Sequence, residues 1–427
     1  MNNLIRITLM ALLCQAGIAA GTDADLDTTF GSGGAVILCN LCPNGPPPPS
    51  GDYLTNILPS ANGEQVMVGG ISNETTNGPL VAFAVVSQTT VTTPVITSVH
   101  GQPTAAARDQ AGRFIVAIGL TVMRFGSDFS LDTTFGTGGS VNVTFPGYSD
   151  PFGAGLSAVA IDHAQRIVVA GFASNASNNT DMAVARLLGT GAYDNTFGSS
   201  GRQMVGFDLI ANGPDRAASV DIAGDNGLLL AGTAHNVDVR GGFDELALVR
   251  LQSNGALDGA FNTTGKRAID LGGTLSFIPV AKFDHANRIL VAATDRMMRL
   301  LANGQNDATF IGSAPTSTAG TAPVTFSLNT FAERSDGRVV LAGISAVSGG
   351  TNMTVARLLP TGGDDNQFNN GSNTNTMIPG ASGQVAIILD GGRPLIGGNW
   401  YAAGFSLQRW YVARLQSDLI FSNRFEN

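Results

Sequence analysis

The sequence has little charge and no pattern that is typical of helices. Lys, Arg, Asp and Glu together make up 13% of the 427 residues, and the formal net charge is −9. No cluster of basic residues is present, so a surface that binds nucleic acid is not expected. No segment has a sustained 3.6-residue hydrophobic period, and Gly is frequent, with 55 residues. These properties favour an all-β chain with short strands and tight turns.

Cysteine is also scarce, with three residues in the chain. Cys39 and Cys42 are the two that follow residues 1–20, and they begin an irregular, proline-rich segment, residues 39–52. In an oxidising compartment we expect them to form a local disulfide. The alternatives are a redox pair, which would need an electropositive setting at a helix N-terminus, and a metal site, which would need two further ligands.

The sequence lacks the motifs of common catalytic sites. It contains neither the Gly-x-Ser-x-Gly motif of serine hydrolases nor the Gly-x-x-x-x-Gly-Lys-Ser/Thr motif that binds nucleotide phosphates. The acidic residues at positions 23, 25 and 27 resemble the start of a calcium-binding loop, but Thr28 stands where Gly is needed and Gly34 where Glu is needed. We therefore predict no catalytic residue, no cofactor and no metal site, and the sequence favours a protein that is not an enzyme.

The first twenty residues have the pattern of a signal peptide. Arg6 supplies a positive charge, residues 7–14 are mostly apolar, and small residues occur among positions 17–20. The apolar stretch is shorter than the about 20 residues that a membrane span needs. We therefore expect export to the periplasm, the cell surface or the medium. The mature chain, residues 21–427, is expected to be a single domain without a membrane span.

What the sequence does contain is a repeat that ends in Asp-x-x-Phe. The Phe residues are 49 to 64 residues apart, except for a first gap of 105 that predicts a degenerate copy near residues 87–90. The Asp and Phe pairs are Asp27 and Phe30, Asp132 and Phe135, Asp194 and Phe197, Asp258 and Phe261, Asp307 and Phe310, and Asp365 and Phe368, with a remnant at Asp418 and Phe421. An Arg ends the strand before each of the later pairs, at Arg124, Arg186, Arg250, Arg299, Arg357 and Arg414.

A second marker gives the same number of units. A tight turn followed by an apolar strand that ends in Gly or Ala occurs seven times. Four strands are predicted in the unit near residue 200, over residues 202–207, 217–223, 227–232 and 245–251. Residues 167–170 and 228–231 are continuous apolar runs, which indicate strands buried on both faces.

Sheets stacked face to face around an axis bury strands in this way. We therefore predict a seven-bladed β-propeller-like repeat protein with four short antiparallel strands in each blade. A β-solenoid is the alternative fold. Because the Asp and Arg residues occur once in each unit, they are predicted to be structural: Asp accepts backbone N–H groups in a turn or pairs with Arg, and Phe fills the space between blades.

The repeats resemble the delta-60 repeat of exported bacterial proteins. The match is carried by residues 182–187, which end in Ala-Arg-Leu, with residues 194–198, and it recurs at residues 246–251 with 258–261 and at 353–358 with 365–368, so that it covers roughly residues 25 to 418. That resemblance implies a propeller-like β fold and no particular activity. Residues 418–427 are a candidate C-terminal tail, similar to a short tail found on some exported Gram-negative proteins; alternatively, Phe421 belongs to a last degenerate repeat.

These observations favour a monomeric binding or interaction module that uses the loops of one propeller face or the mouth of the central channel. The partner would be a protein, a glycan or a surface component. The alternatives are a propeller-type extracellular enzyme, such as a lyase or a glycosidase, and a structural protein associated with the cell envelope. A non-repeated feature near the C-terminal end is an aromatic group that is expected either to pack within the last blade or to contact a ligand: Trp400, Tyr401, Phe405, Trp410 and Tyr411.

Overall fold

The structure is a computed structural model, and it describes most of the chain. The described residues are 26–38, 52–60, 63–72, 78–148, 155–177, 179–239, 241–272, 279–311, 321–347, 350–368, 374–379, 381–390, 393–401 and 408–415. The predicted signal peptide, Cys39, Cys42 and the tail at residues 418–427 lie outside these ranges, so the expectations about them stay predictions.

Within the described residues the chain forms seven four-stranded antiparallel sheets and no α-helix, which confirms the predicted all-β propeller. Blade 1 contains β2 (Tyr53–Pro59), β3 (Gln65–Ile71), β4 (Leu80–Val86) and β5 (Val95–His100); blade 2 contains β6 (Ala105–Arg108), β7 (Phe114–Ile118), β8 (Thr121–Phe125) and β9 (Ser140–Asn142); blade 3 contains β10 (Gly155–Ile161), β11 (Ile167–Ser174), β12 (Thr180–Leu187) and β13 (Arg202–Val205).

The remaining blades follow the same order from the inner to the outer strand. Blade 4 contains β14 (Asp215–Ile222), β15 (Leu228–Asp238), β16 (Gly241–Leu251) and β17 (Lys266–Ile269); blade 5 contains β18 (Val280–Phe283), β19 (Ile289–Ala293), β20 (Arg296–Leu300) and β21 (Thr321–Pro323); blade 6 contains β22 (Ser327–Glu333), β23 (Val339–Val347), β24 (Gly350–Leu358) and β25 (Thr374–Pro379); blade 7 contains β26 (Ala381–Asp390), β27 (Arg393–Tyr401), β28 (Gln408–Arg414) and β1 (Ala35–Leu38).

Blade 7 joins the two ends of the chain. Its three inner strands come from the C-terminal end, and its outer strand, β1, comes from the N-terminal end, with Ala35 opposite Ala413 and Leu38 opposite Trp410. The inner strand of blade 7 contacts the inner strand of blade 1, so the ring is closed. The predicted strand at residues 202–207 is present as Arg202–Val205, but it pairs with β12 and is the outer strand of blade 3, not part of blade 4.

The hydrophobic core is divided into seven layers, each between two neighbouring blades. In β11, Ile167 and Val169 belong to the layer between blades 2 and 3, whereas Val168 and Ala170 belong to the layer between blades 3 and 4. The continuous apolar runs of the sequence are therefore strands with both faces buried, as predicted. No side of these strands is left for solvent, so the runs at residues 167–170 and 228–231 contain no polar side chain.

The occurrence of glycine at the end of the second strand of a blade has a steric reason. In five blades the inner strand has an irregularity opposite this position, and a Cβ on Gly171 would lie 1.8 Å from the backbone oxygen of Gly155. The glycines at this position are Gly69, Gly171, Gly232, Gly343 and Gly398. Blades 2 and 5 have no such irregularity in the inner strand, and they have Ile118 and Ala293 at this position.

Candidate functional site

The propeller has two faces that differ in how regular they are. Because neighbouring strands are antiparallel, the turns between first and second strands lie on the same face as the connections between third and fourth strands. We call this the motif face, because it contains the Arg–Asp–Phe motif, defined by Arg186, Asp194, Phe197 and their equivalents. The loop face, on the other side, contains the turns between second and third strands and the connections between blades.

On the motif face, the residues of the motif hold one blade to the next. The Nε of Arg186 donates to the Oδ2 of Asp194 over 2.8 Å, and the Nη1 of Arg166 lies 3.3 Å from the same oxygen. The backbone N–H and hydroxyl of Thr196 donate to the other oxygen over 3.0 and 2.6 Å. The Nη1 of Arg186 donates to the backbone oxygen of Ser253 in the next blade over 2.5 Å, so the motif of blade 3 is bonded to blade 4.

The same arrangement recurs around the ring. Burial acts to raise the pKa of Asp194, but the hydrogen bonds from Thr196 and the Arg186 guanidinium hold that pKa below its ordinary value. The equivalent Arg and Asp pairs are Arg124 with Asp132 (2.7 Å), Arg250 with Asp258 (3.7 Å), Arg299 with Asp307 (2.7 Å) and Arg357 with Asp365 (2.7 Å). The motif phenylalanines are all buried: Phe30, Phe135, Phe197, Phe261, Phe310 and Phe368. These predicted site residues are thus spread over the ring, one set in each of blades 2 to 7, and do not meet in one pocket.

Two blades depart from the sequence expectation. The Arg414 guanidinium lies over the Phe30 ring, 4.5 Å from its centroid, and the Asp27 N–H donates to the Arg414 backbone oxygen over 2.9 Å. The motif of blade 7 is therefore completed from the N-terminal end; the remnant predicted at Asp418 lies outside the described residues. In blade 1 the degenerate copy has Val85 and Thr92 in place of Arg and Asp, with the Thr92 hydroxyl accepting the Val85 N–H over 2.9 Å.

The bore is lined by the inner strands, and three of its polar side chains join neighbouring blades. Asn56 accepts the N–H of Ala106 over 2.9 Å, and Asp221 accepts the N–H of Phe283 over 2.8 Å, in each case from the next inner strand. The Nζ of Lys282 donates to the backbone oxygen of Phe331 over 3.3 Å. Burial raises the pKa of Asp221 and lowers that of Lys282. These side chains hydrogen-bond backbone groups at the free edge of the next inner strand, so their role is structural.

Most of the described aromatic residues of the last blade pack in the hydrophobic layers on either side of it. Trp410 is 1% exposed in the layer between blades 7 and 1, and Tyr411 is fully buried between blades 6 and 7, where Trp400 packs against the same layer. Phe405 and the side chain of Tyr401 lie outside the description. The described aromatics therefore support the packing alternative over ligand contact.

The loop face contains a hairpin that no other described blade matches in length. Strands β15 and β16 have eleven residues each. Near the tip of their hairpin, Val237 is 51% exposed and Val239 is fully exposed. On this hairpin, His235 Nδ1 lies 2.8 Å from an oxygen of Asp244. The backbone N–H of His235 donates to the backbone oxygen of Pro214, so the hairpin contacts the loop that enters blade 4.

Beside the hairpin lies an acidic cluster, which we define as Asp181, Asp208 and Asp215. The Tyr148 hydroxyl donates to Asp181 over 2.6 Å, and burial, together with that carboxylate, raises the pKa of Tyr148 to about 12. Asp215 is 1% exposed, and burial, with the charges of Asp181 and Asp208, raises its pKa to about 6. The cluster therefore concentrates negative charge at the junction of blades 3 and 4.

Sequence reasoning missed this cluster, because its members come from separate connections and share no motif. The signal that could have revealed it is an acidic residue at the start of an inner strand. Asp52 occupies the corresponding position of blade 1, and burial likewise raises its pKa to about 6. In blade 6 that position is occupied by Phe326, so the acid is not part of the repeat.

Among the described residues, no group of three or more His, Cys, Asp or Glu side chains could hold a metal ion. A search of the same residues for a helix long and apolar enough to cross a membrane found none.

Three segments, residues 166–197, 223–261 and 334–368, match the model of a family described as a domain of unknown function (DUF5122) beta-propeller. Each segment contains one Arg–Asp–Phe motif, and together they cover less than half of the chain. The chain is a β-propeller repeat protein. No curated protein matched the chain.

Solved structures resemble this propeller at low sequence identity. A protein of unknown function from Dyadobacter fermentans is 11% identical, with a TM-score of 0.46 over 90% of this chain and 98% of that one. PorZ, a surface component of the type-IX secretion system of Porphyromonas gingivalis, is 10% identical, with a TM-score of 0.44 over 87% of this chain and 48% of that one. An α-L-arabinofuranosidase from Fusarium graminearum is 8% identical, with a TM-score of 0.45 over 72% of this chain and 92% of that one.

Proposed function

We propose that this propeller is an exported binding protein that contacts its partner through the loop face. The observation that supports this most is the difference between the two faces. The motif face repeats one bonding scheme in blade after blade, and its motif Arg and Asp side chains pair with each other. The loop face holds groups that do not repeat, including the long hairpin and the acidic cluster. The partner is a protein, a glycan or a surface component.

Binding is favoured over the enzymatic alternative because the carboxyl group of the acidic cluster with a raised pKa is buried. A glycosidase needs two carboxyl groups that both reach the substrate, one of them with a raised pKa. Asp215 has the raised pKa in the acidic cluster, but it is 1% exposed, and its Oδ2 already accepts the Phe207 N–H over 2.5 Å. We also propose that the repeats belong to the delta-60 class.

Site-specific photo-crosslinking tests which face binds. We expect p-benzoylphenylalanine in place of Val239, at the hairpin tip, to crosslink one partner in the cells that make the protein. The same probe in place of Gln252, an exposed residue of the motif face, serves as the matched control and should give no such product. Crosslinks of equal yield from both positions, or only from Gln252, would refute the loop face as the binding face.

Export is tested by the mass of the mature chain. If residues 1–20 are a signal peptide, the protein recovered from outside the cytoplasm should begin at Gly21, after the small residues that precede the cut. Intact mass measurement and N-terminal sequencing of a C-terminally tagged chain give the answer. Recovery of the full chain, beginning at Met1, in the cytoplasm alone would contradict export.

A further inference from the structure

We propose that the loop-face mouth of the bore binds an acidic oligosaccharide, with Arg216 holding a uronate carboxylate and Tyr53 packing on a sugar ring. The inference rests on the proposed function, because it assigns a ligand class to one part of the loop face. We call this site the bore mouth and define it by Tyr53, Gly155, Arg216 and Ser327, which belong to the inner strands of blades 1, 3, 4 and 6.

The four residues of the bore mouth occupy one register position of the inner strand. Each comes directly before the residue that lies opposite the glycine of the second strand, so all four lie at the loop-face end of their strands. Tyr53 is 36% exposed, and Arg216 is also exposed. The residue type changes from blade to blade, so this position is not part of the structural repeat. Blades 1 and 4 are three blades apart in a ring of seven, which puts Tyr53 and Arg216 on nearly opposite sides of the bore.

The Arg216 guanidinium is held against an aromatic ring while its donors stay unused. Its Cζ lies 5.1 Å from the centroid of the Phe172 ring, and no hydrogen bond or ion pair within the described part of the chain involves this guanidinium. By contrast, Arg186 and Arg299 of the motif face each bond a carboxylate and a backbone oxygen. Stacking on an aromatic ring fixes a guanidinium and leaves its planar fork of N–H groups available, and a carboxylate is the anion that matches this fork in shape.

Buried carboxyl groups fix the backbone beside both exposed residues. Asp52, which precedes Tyr53, accepts the N–H of Ser72 over 2.9 Å. Asp215, which precedes Arg216, accepts a backbone N–H of the loop before blade 4 over 2.5 Å. The strand ends that present the two side chains are therefore held in place without a ligand. A site that is ordered in advance loses less conformational entropy when the ligand binds.

The chemistry of the bore mouth fits a sugar acid better than an acidic peptide. A pyranose has C–H groups on the face of its ring, and the negative face of an aromatic ring such as that of Tyr53 attracts them. The Tyr53 hydroxyl has no hydrogen-bond partner among the residues described, so it is available to a sugar hydroxyl. A peptide would need pockets for apolar anchor side chains. Gly155 and Ser327 are small, and a Cβ on Gly155 would have only atoms of the Phe172 ring within 4 Å, so this position is open and forms no such pocket.

The test is calorimetric titration of the full mature chain with tetrasaccharides of galacturonate, glucuronate and mannuronate, with their methyl esters and with tetraglutamate. We expect at least one uronate to bind, and its ester to bind about tenfold more weakly, because the charge-assisted hydrogen bonds to Arg216 are lost. Arg216→Gln and Tyr53→Ala should each weaken binding of the uronate by a similar factor. Both side chains are exposed, so both variants should keep the melting temperature of the wild type.

Arg296→Gln is the matched control for the loss of a positive charge. Arg296 begins the third strand of blade 5 on the same loop face, away from the bore, and its Nε pairs with Asp295 over 2.8 Å. This variant should bind the uronate as the wild type does.

Three kinds of result would overturn the inference. The first is that no uronate binds the wild type, or that tetraglutamate binds more tightly than every uronate. The second is that the ester, Arg216→Gln or Tyr53→Ala leaves the affinity unchanged, and the third is that Arg296→Gln weakens binding as much as Arg216→Gln does. None of these results bears on the crosslinks from Val239. If those crosslinks form and no uronate binds, the loop face stands as the binding face and only the acidic saccharide is rejected.

Discussion

Asp194→Ala is expected to lower the free energy of unfolding by about 3–5 kcal/mol, the usual cost of leaving a buried charge without its partner. The Arg186 side chain is 1% exposed, and Asp194 is the carboxylate that its Nε reaches. Arg166 loses one of its two carboxylate partners in the same substitution. The measurement is the midpoint and slope of denaturant unfolding, followed by circular dichroism. Crosslinking from Val239 should persist under native conditions, because Asp194 lies on the opposite face.

Asp258→Ala provides the matched control for this prediction. In blade 4 the Arg250 guanidinium already reaches the exposed Asp225, 3.2 Å away, and its Nε is 3.7 Å from Asp258. Gly227 stands where blade 3 has Arg166, and Ala260 stands where blade 3 has Thr196, so fewer bonds depend on Asp258. We expect a loss of about 1 kcal/mol or less, as for exposed ion pairs. Equal losses for the two variants would mean that the motif carboxylate does not stabilise the ring through its buried arginine.

The repeat made the architecture predictable from sequence, because the strands and their buried faces can be recognised in the sequence of each repeat. Two periodic markers indicated seven units, and the apolar runs such as residues 228–231 indicated strands between two neighbouring sheets. The glycine at position 171 and its equivalents were visible as strand ends, but their cause, the close approach of the inner strand, needed the backbone.

The closure of the ring could not be predicted, because it depends on pairing between segments almost the whole chain apart. Residues 35–38 are an ordinary apolar run in the sequence, and nothing in them specifies that they pair with β28. The same reasoning explains why Arg414 was assigned to a motif at Asp418, whereas its strand is followed in space by Asp27. Strand 202–205 was placed in the wrong blade because sequence order alone does not show which neighbour an outer strand joins.

The candidate site was the least predictable part. The acidic cluster combines Asp181 in β12, Asp208 in the loop before blade 4 and Asp215 at the start of β14. These acids are not part of the repeated motif, so each one looked like an ordinary surface acid in the sequence. Residues that repeat around a ring are visible in the sequence because the same structural role recurs in blade after blade, whereas residues that differ between blades leave no such signal.

Phe197→Ala is the second large effect that we expect, with a loss of about 3–5 kcal/mol for the removal of a buried aromatic side chain. Phe197 is fully buried between blades 3 and 4, and the Arg186 guanidinium lies over its ring, 4.6 Å from the centroid. On the other side, a Cβ on Gly255 of blade 4 would lie only 3.0 Å from the ring, so the ring fills the space up to the next blade. Truncation leaves a cavity at the junction that the motif closes.

Blade 1 supplies the control, because its degenerate copy has Val95 at the position of the phenylalanine. Val95 is 46% exposed, and the junction of blades 1 and 2 is filled instead by Phe83, Phe114, Phe125 and Phe129. Val95→Ala should therefore change the free energy of unfolding by about 0.5 kcal/mol or less, as for an ordinary surface substitution. Denaturant unfolding of both variants, with hydrogen exchange of β13 and β14, measures the difference. If Phe197→Ala were as mild as Val95→Ala, the motif phenylalanine would not be what holds neighbouring blades together.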